Sequence, residues 1–164
     1  MNAGQGLRHA LPTLPLALAG AVAWGIVAGA SALSSLVLGQ WATPAHVGTL
    51  VALFALGGAL AFPLGWTLAR LLWRGRSTEA AFAAAFVSIA VTTIGLTALL
   101  YVLHYRIDYP DGHSHPLTIS WAFDLMFSGL AALYQFAVLG IRLYFPLGFA
   151  ALFAAAVWFA RRSR

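Results

Sequence analysis

Long apolar runs separated by short polar segments dominate the chain. Three runs of helical length come first, over about 13–38, 47–72 and 80–103. Each exceeds the about 20 residues that an α-helix needs to cross the hydrocarbon core of a bilayer. The runs are continuous and do not alternate between apolar and polar positions, so they predict helices and not the strands of a barrel. We interpret the first run as a retained membrane helix.

The last apolar run, from about 119 to 160, has two interpretations. It can form two crossings, over 119–139 and 143–160, which gives five transmembrane helices. Alternatively it forms one crossing that begins at Ile141 and ends at Arg161. In that case residues 119–140 form a helix at the outer interface, and the chain has four transmembrane helices.

The distribution of arginine favours four crossings, because basic residues collect on the cytoplasmic side of membrane proteins. With four crossings, seven arginines face the cytoplasm, with Arg106 outside and Arg142 at the outer boundary. With five crossings, five arginines face the cytoplasm and four lie outside or at the outer boundary. The seven arginines that four crossings place in the cytoplasm are Arg8, Arg70, Arg74, Arg76, Arg161, Arg162 and Arg164. We therefore predict a multi-pass protein of a bacterial cytoplasmic membrane with a cytoplasmic N-terminus.

Two segments of the chain resemble each other. LGGALAFPLG at 56–65 and LGIRLYFPLG at 139–148 agree at seven of ten positions, 83 residues apart. The match suggests a tandem duplication of a two-helix hairpin, with units 1–76 and 77–164, inside a single membrane domain of residues 1–164. Paired Pro and Gly interruptions of this kind can mark a transporter binding site.

The composition excludes a soluble domain. The 164 residues are 62% hydrophobic and 8% charged, whereas soluble domains carry roughly 25% charged residues. The net charge of +5 comes from arginines at the ends of apolar runs, which indicates contact with lipid headgroups and not with nucleic acid. Without cysteine, disulfides and thiolate metal sites are excluded.

The segment 104–118 is the only strongly polar part of the chain. It carries three histidines and two aspartates whose imidazoles and carboxylates suit Zn(II), Cu(II) or Ni(II). A divalent transition metal is therefore one hypothesis for this loop. A solvated Asp-Gly turn is the alternative, and a pH-responsive loop is a third. The candidate ligands are His104, Asp108, Asp111, His113 and His115.

Two further groups of polar residues are candidates for function. His46 and His104 fall at the outer ends of the second and third helices, and facing histidines can ligate a haem axially. Asp124, Gln135 and Arg142 interrupt the last apolar run. Ionisable groups at membrane depth are costly and often mark ion or proton pathways.

These observations give three expectations for function. The first is a nonenzymatic transporter subunit or accessory subunit of a membrane complex, bound by lipid and by other membrane subunits or further copies of itself. The second is a metal- or haem-handling membrane protein that uses the polar loop. The third is a membrane enzyme acting on a lipid or quinone, with Asp124 and the loop carboxylates as acid and base.

Overall fold

The computed structural model describes residues 11–39, 44–73, 77–108 and 118–162, and every regular element in these ranges is helical. A π-helix over Phe136–Gly140 and a 3-10 helix over Ile141–Tyr144 connect the last two α-helices. The α-helices are α1 (Leu14–Gly39), α2 (Pro44–Trp73), α3 (Thr78–Asp108), α4 (Ile119–Gln135) and α5 (Leu147–Arg162).

Four stretches of continuous helix are long and apolar enough to cross a membrane within the described ranges. They are Leu14–Gly39, His46–Trp73, Thr78–Tyr105 and Ile119–Tyr144. An all-α, multi-pass membrane protein is therefore confirmed. The fourth stretch differs from the expected crossing between Ile141 and Arg161. It consists of α4 together with the π and 3-10 segments. The last helix, α5, has 16 residues.

Helix α2 packs between α1 and α3, and small residues bring the three backbones together. A Cβ added at Gly57 would lie 2.9 Å from Cα of Thr97 on α3. On the other side, a Cβ added at Gly25 of α1 would lie 2.8 Å from the carbonyl oxygen of Ala55. Close approach through small residues is the usual way in which helices associate in lipid, where no hydrophobic force drives them together.

Helix α5 occupies the fourth position of the bundle, against α3 and α1. The rings of Trp66 and Phe159 meet edge to face at 4.9 Å, and Trp73 contacts Phe159 at 6.4 Å. We call this end of the bundle, where Arg70 and Arg161 lie, the arginine end. The far end holds Gly39 and the start of α2.

Helix α4 lies at the periphery, and its path distinguishes the two interpretations of the last apolar run. The helix follows α3, which ends at the far end. Its last residue, Gln135, accepts a hydrogen bond from the Tyr101 hydroxyl at 3.3 Å, again toward the far end of α3. Helix α4 therefore does not run along the bundle to the arginine end.

Over the residues that the structure describes, the chain passes along the bundle four times, through α1, α2, α3 and α5. Both ends of the described chain consequently lie at the arginine end, where Nη1 of Arg70 donates to the Leu11 carbonyl at 3.5 Å. The first three helices begin and end within a few residues of the predicted runs except at Asp108, five residues beyond the predicted end of the third. The last helix begins at Leu147, not at the predicted Ile141.

Candidate functional site

The most irregular part of the described chain is the break between α4 and α5, over residues 136–146. A π-helix passes into a 3-10 helix, and the Phe145–Pro146 peptide bond is cis. Single-turn π segments are frequent at functional sites. Irregular backbone at membrane depth persists only where protein buries it or where it lines a cavity. Both conditions are met here, and they make this break the candidate site.

Two serines of α1 satisfy the backbone groups that the break leaves without helical partners. Ser31 Oγ donates to the Leu143 carbonyl at 3.0 Å and accepts from the Gly148 amide at 3.1 Å. Ser35 Oγ donates to the Phe145 carbonyl at 2.7 Å. Because a buried backbone group without a partner is costly, these two hydroxyls stabilise the break inside the bundle.

An aromatic contact fixes the other side of the break. The Tyr144 hydroxyl donates to Thr97 Oγ1 of α3 at 2.7 Å. The centroid of its ring lies 4.9 Å from that of Phe54, which is fully buried. The ring centroids of Phe136 and Phe54 are 6.1 Å apart. Helices α2 and α3 therefore hold the two ends of the π and 3-10 segments in place.

A cavity of about 130 Å³ opens beside the break, between α1, α3 and α5. Three small residues, Ala28, Ala90 and Gly148, contribute to its wall and leave the space that larger side chains would fill. At its inner part the Trp24 indole donates to Thr93 Oγ1 at 2.9 Å. The lining is apolar, because the polar atoms of Trp24, Thr93 and Tyr144 are engaged in hydrogen bonds within the protein.

The cavity is lined by residues of α1, α3, the break and α5. They are Trp24, Val27, Ala28, Phe86, Ala90, Thr93, Ile94, Ile141, Tyr144, Gly148, Phe149 and Leu152.

The three polar residues predicted within the last apolar run do not meet in one site. Asp124 is half-buried on α4, and its backbone carbonyl accepts from Ser128 Oγ at 2.6 Å. Gln135 contacts Tyr101. Arg142 is exposed on the 3-10 helix of the break. Of the three, Arg142 lies closest in sequence to the cavity, beside its lining residue Ile141.

The predicted metal loop falls mostly outside the described residues, where Asp111, His113 and His115 lie. His104 is half-buried near the end of α3, and Asp108 is the last residue of that helix. Within the described ranges no group of three or more potential ligands forms a metal site. The metal hypothesis stays a prediction.

The predicted haem pair sits on neighbouring helices at different heights. Contacts of Gly57 with Thr97 and of Gly65 with Ile89 set the register of α2 against α3. In that register His46 lies one helical turn, ~6 Å, nearer the far end than His104. His46 is exposed and His104 half-buried, and axial ligation of a haem by the pair stays a prediction.

Sequence reasoning missed the residues that hold the break. Neither Ser31 of α1 nor Thr97 of α3 was among the candidate residues, because hydroxyls inside helices commonly bond back to their own helix. Thr92 and Thr93 do bond back, to the carbonyls of Ser88 and Ile89, whereas Thr97 accepts from Tyr144. The one available signal was the repeated FPLG segment, which ends at Gly148, in the first turn of α5 just after the break.

Comparisons with known proteins found no matching family model, curated protein or solved structure.

Proposed function

We propose that this chain is a nonenzymatic component of a membrane complex in a bacterial cytoplasmic membrane, either an accessory subunit or a transporter subunit. Helix α4 is the element through which it binds another subunit, either a different membrane protein or a second copy of this chain. The observation that carries this proposal is the difference in packing between α4 and the bundle.

Helix α4 is the least buried of the long apolar segments. Only 11% of the apolar 18-residue window in Ile119–Tyr144 is buried, against 22–33% of the corresponding windows in the other three segments. Ala132 is the one residue of α4 that is buried. Large apolar side chains point outward on several sides of it, with Phe123 54%, Phe127 62% and Leu130 55% exposed. Such a surface requires either lipid or another protein around it.

Two features of α4 favour protein over lipid alone. A Cβ added at Gly129 would meet nothing within 4 Å, so this face is open to the close approach of a second helix, as small residues allow. Asp124, the one charged residue of α4, lies one and a half turns earlier. Ionisable residues at membrane depth generally face protein or water and not acyl chains.

The arrangement of charge supports the proposed orientation. Arg70, Arg161 and Arg162 lie at one end of the bundle, together with both ends of the described chain. Since arginine collects on the cytoplasmic side, this end faces the cytosol in the proposal. The guanidinium groups of Arg70 and Arg162 stack over Trp66 and Trp158 at 5.5 and 5.0 Å, an arrangement suited to an interface between protein and headgroups.

A photo-crosslinking amino acid at Phe127 tests the subunit proposal in cells that express the chain from its own promoter. We expect a discrete protein adduct, either a second copy or another membrane protein, identified by mass spectrometry. The matched control is the same amino acid at Leu60, which is 53% exposed on α2 and should give lipid adducts only. Lipid adducts alone at Phe127 would contradict the proposal.

Reporter fusions at Arg164 test the orientation. A fluorescent-protein fusion should be fluorescent, because the C-terminus is proposed to lie in the cytosol, and an alkaline phosphatase fusion should be inactive. The reverse result would show that the arginine end faces away from the cytosol.

A further inference from the structure

We propose that the cavity beside the break, together with Arg142, binds one phospholipid. An acyl chain occupies the cavity and the phosphate contacts the guanidinium group of Arg142. This site lies apart from the α4 surface of the proposed function and does not depend on it.

The cavity has the size and chemistry for hydrocarbon. Its volume of about 130 Å³ is close to the roughly 150 Å³ of an engineered apolar cavity that takes up benzene. The polar atoms at its wall are engaged within the protein, since Trp24 Nε1 donates to Thr93 and the Tyr144 hydroxyl donates to Thr97. A ligand with polar groups would find no partners there, whereas an acyl chain needs none.

The cavity opens sideways, toward the lipid that surrounds the bundle. At its edge Ile94 is 36%, Ile141 38% and Phe149 51% exposed. It extends from the level of Ser31, which bonds to the break, to the level of Trp24. These two residues of α1 are seven positions apart, which corresponds to ~10 Å along the helix. It therefore runs along the bundle axis, which is also the mean direction of acyl chains in a bilayer.

Arg142 supplies the charge that the headgroup needs. It is exposed, and within the described residues its side chain has no hydrogen bond or ion pair. The depth of Arg142 follows from its neighbour Leu143, whose carbonyl accepts a hydrogen bond from Ser31. Ser31 lies eight residues, or ~12 Å, before the end of α1. Helix α1 is ~39 Å long against a ~30 Å hydrocarbon core, so Arg142 lies roughly 7 Å below the headgroups when the helix is centred.

From that depth a long arginine side chain extends to the headgroup level, where guanidinium binds phosphate in a bidentate manner. The cavity continues from the same level toward the arginine end. One phospholipid of the leaflet at the far end can thus place its phosphate at Arg142 and a chain beside Ile141 and Phe149. An apolar cavity alone, or an arginine alone, would not distinguish this site from the rest of the lipid-facing surface. The position of Arg142 next to the cavity does distinguish it.

The experiment uses the full chain in nanodiscs with a phospholipid that carries a photoreactive diazirine in one acyl chain. After irradiation, adducts are mapped by mass spectrometry. We expect labelling at Ile94, Ile141 and Phe149 to exceed several-fold the labelling at Leu56 and Leu60. Those two leucines are 57% and 53% exposed on α2, away from the cavity.

Two pairs of variants test the two halves of the site. Ala90→Phe fills the cavity and should reduce labelling of its edge several-fold, whereas Ala83→Phe, two turns away at an exposed position on α3, should leave it unchanged. Ala90→Leu serves if the larger substitution prevents folding. Arg142→Gln should abolish any preference for the phospholipid over a diacylglycerol with the same photoreactive chain, whereas Arg161→Gln should retain it.

Equal labelling of the cavity edge and the α2 surface would overturn the proposal. The proposal would also be overturned if Ala90→Phe or Ala90→Leu protein folded and its cavity edge were still labelled in full. A preference for phospholipid that survives Arg142→Gln would overturn it as well, because another cation would then hold the phosphate.

Discussion

The segments 56–65 and 139–148 share seven of ten residues and differ in backbone. The first lies within α2, which continues through Pro63 from Pro44 to Trp73. The second contains the end of the π-helix, the 3-10 helix and the first residues of α5. Identical Phe-Pro-Leu-Gly residues are therefore compatible with both a continuous helix and a broken one, and the difference must come from their surroundings.

Two of the three positions at which the segments differ explain part of this result. Ala61 is fully buried in α2, and a Cβ added at Gly58 would lie 2.8 Å from Cβ of Ala28. Their counterparts in the second segment are Tyr144 and Ile141, which are too large for such close helix contacts. The Tyr144 ring instead turns toward Phe54 and Thr97.

Hydrogen bonding explains the rest. Proline lacks an amide hydrogen and cannot donate to the preceding turn. In α2 the helix continues on both sides, and Thr67 Oγ1 donates to the Pro63 carbonyl at 2.7 Å. At the break, Ser31 and Ser35 of α1 bond to the backbone groups. A broken helix at membrane depth thus depends on hydroxyls from another helix.

Gly57→Ala should have the largest effect, because it tests the close packing on which the continuous segment depends. The added Cβ would lie 2.9 Å from Cα of Thr97, so α2 and α3 must separate. We expect a loss of about 1–3 kcal/mol in the free energy of unfolding, measured by SDS titration in mixed micelles. Gly95→Ala is the matched control, because a Cβ there meets nothing within 4 Å. A similar loss in both variants would show that packing is not the cause.

Ser31→Ala tests the broken segment and should have the next largest effect. It leaves the Gly148 amide without its partner and the Leu143 carbonyl with only the 3.4 Å hydrogen bond from Ser35. We therefore expect a loss of about 1–2 kcal/mol in the free energy of unfolding. Thr67→Ala is the matched change in α2. Since the Pro63 carbonyl is already within a helix, we expect that change to cost less than about 0.5 kcal/mol. The same micelle titration compares the two, and equal costs would remove the proposed difference between the segments.

Tyr144→Phe removes one hydroxyl from the break and keeps the ring contacts. We expect a loss of about 0.6–1.5 kcal/mol, since the Tyr144–Thr97 hydrogen bond joins two helices inside the membrane. A double-mutant cycle with Thr97→Val measures the coupling energy between the two side chains. A coupling energy near zero would mean that the ring alone positions Tyr144.

Ser88→Ala should have the smallest effect, and of opposite sign. Ser88 Oγ is buried on α3 with no hydrogen-bond partner among the described residues. Its replacement removes an unsatisfied polar atom. The free energy of unfolding should therefore stay the same or rise by up to about 1 kcal/mol. Thr93→Ala is the contrasting change, because Thr93 bonds to both Trp24 and Ile89 and its loss should destabilise. Clear destabilisation by Ser88→Ala would indicate a partner for its hydroxyl.

Much of the fold follows from local sequence features. Continuous apolar runs predicted α1, α2 and α3, because helix length in a membrane is set by bilayer thickness. Clustered arginines predicted an even number of crossings, and both ends of the described chain lie at the arginine end. The separate segment before the last crossing was also predicted, although its helix ends at Gln135 and the last helix starts later than expected.

The candidate site was much harder to predict. Ser31 and Leu143 are 112 positions apart. Nothing in the apolar pattern indicates that a hydroxyl of α1 bonds to the backbone of a break just before the last helix. The tandem-hairpin hypothesis also stays a prediction, as do the metal and haem hypotheses. The repeated FPLG segments pointed to the correct region without indicating which copy would break.

The sequence by itself determined that the chain crosses a membrane as helices and which of its ends carries the arginines. Both properties come from local hydrophobicity and charge, which act on each segment separately. The tertiary structure alone decided where the last helix breaks, which hydroxyls stabilise that break and where the cavity opens. Those features depend on contacts between residues distant in sequence, and such contacts exist only once the helices have packed.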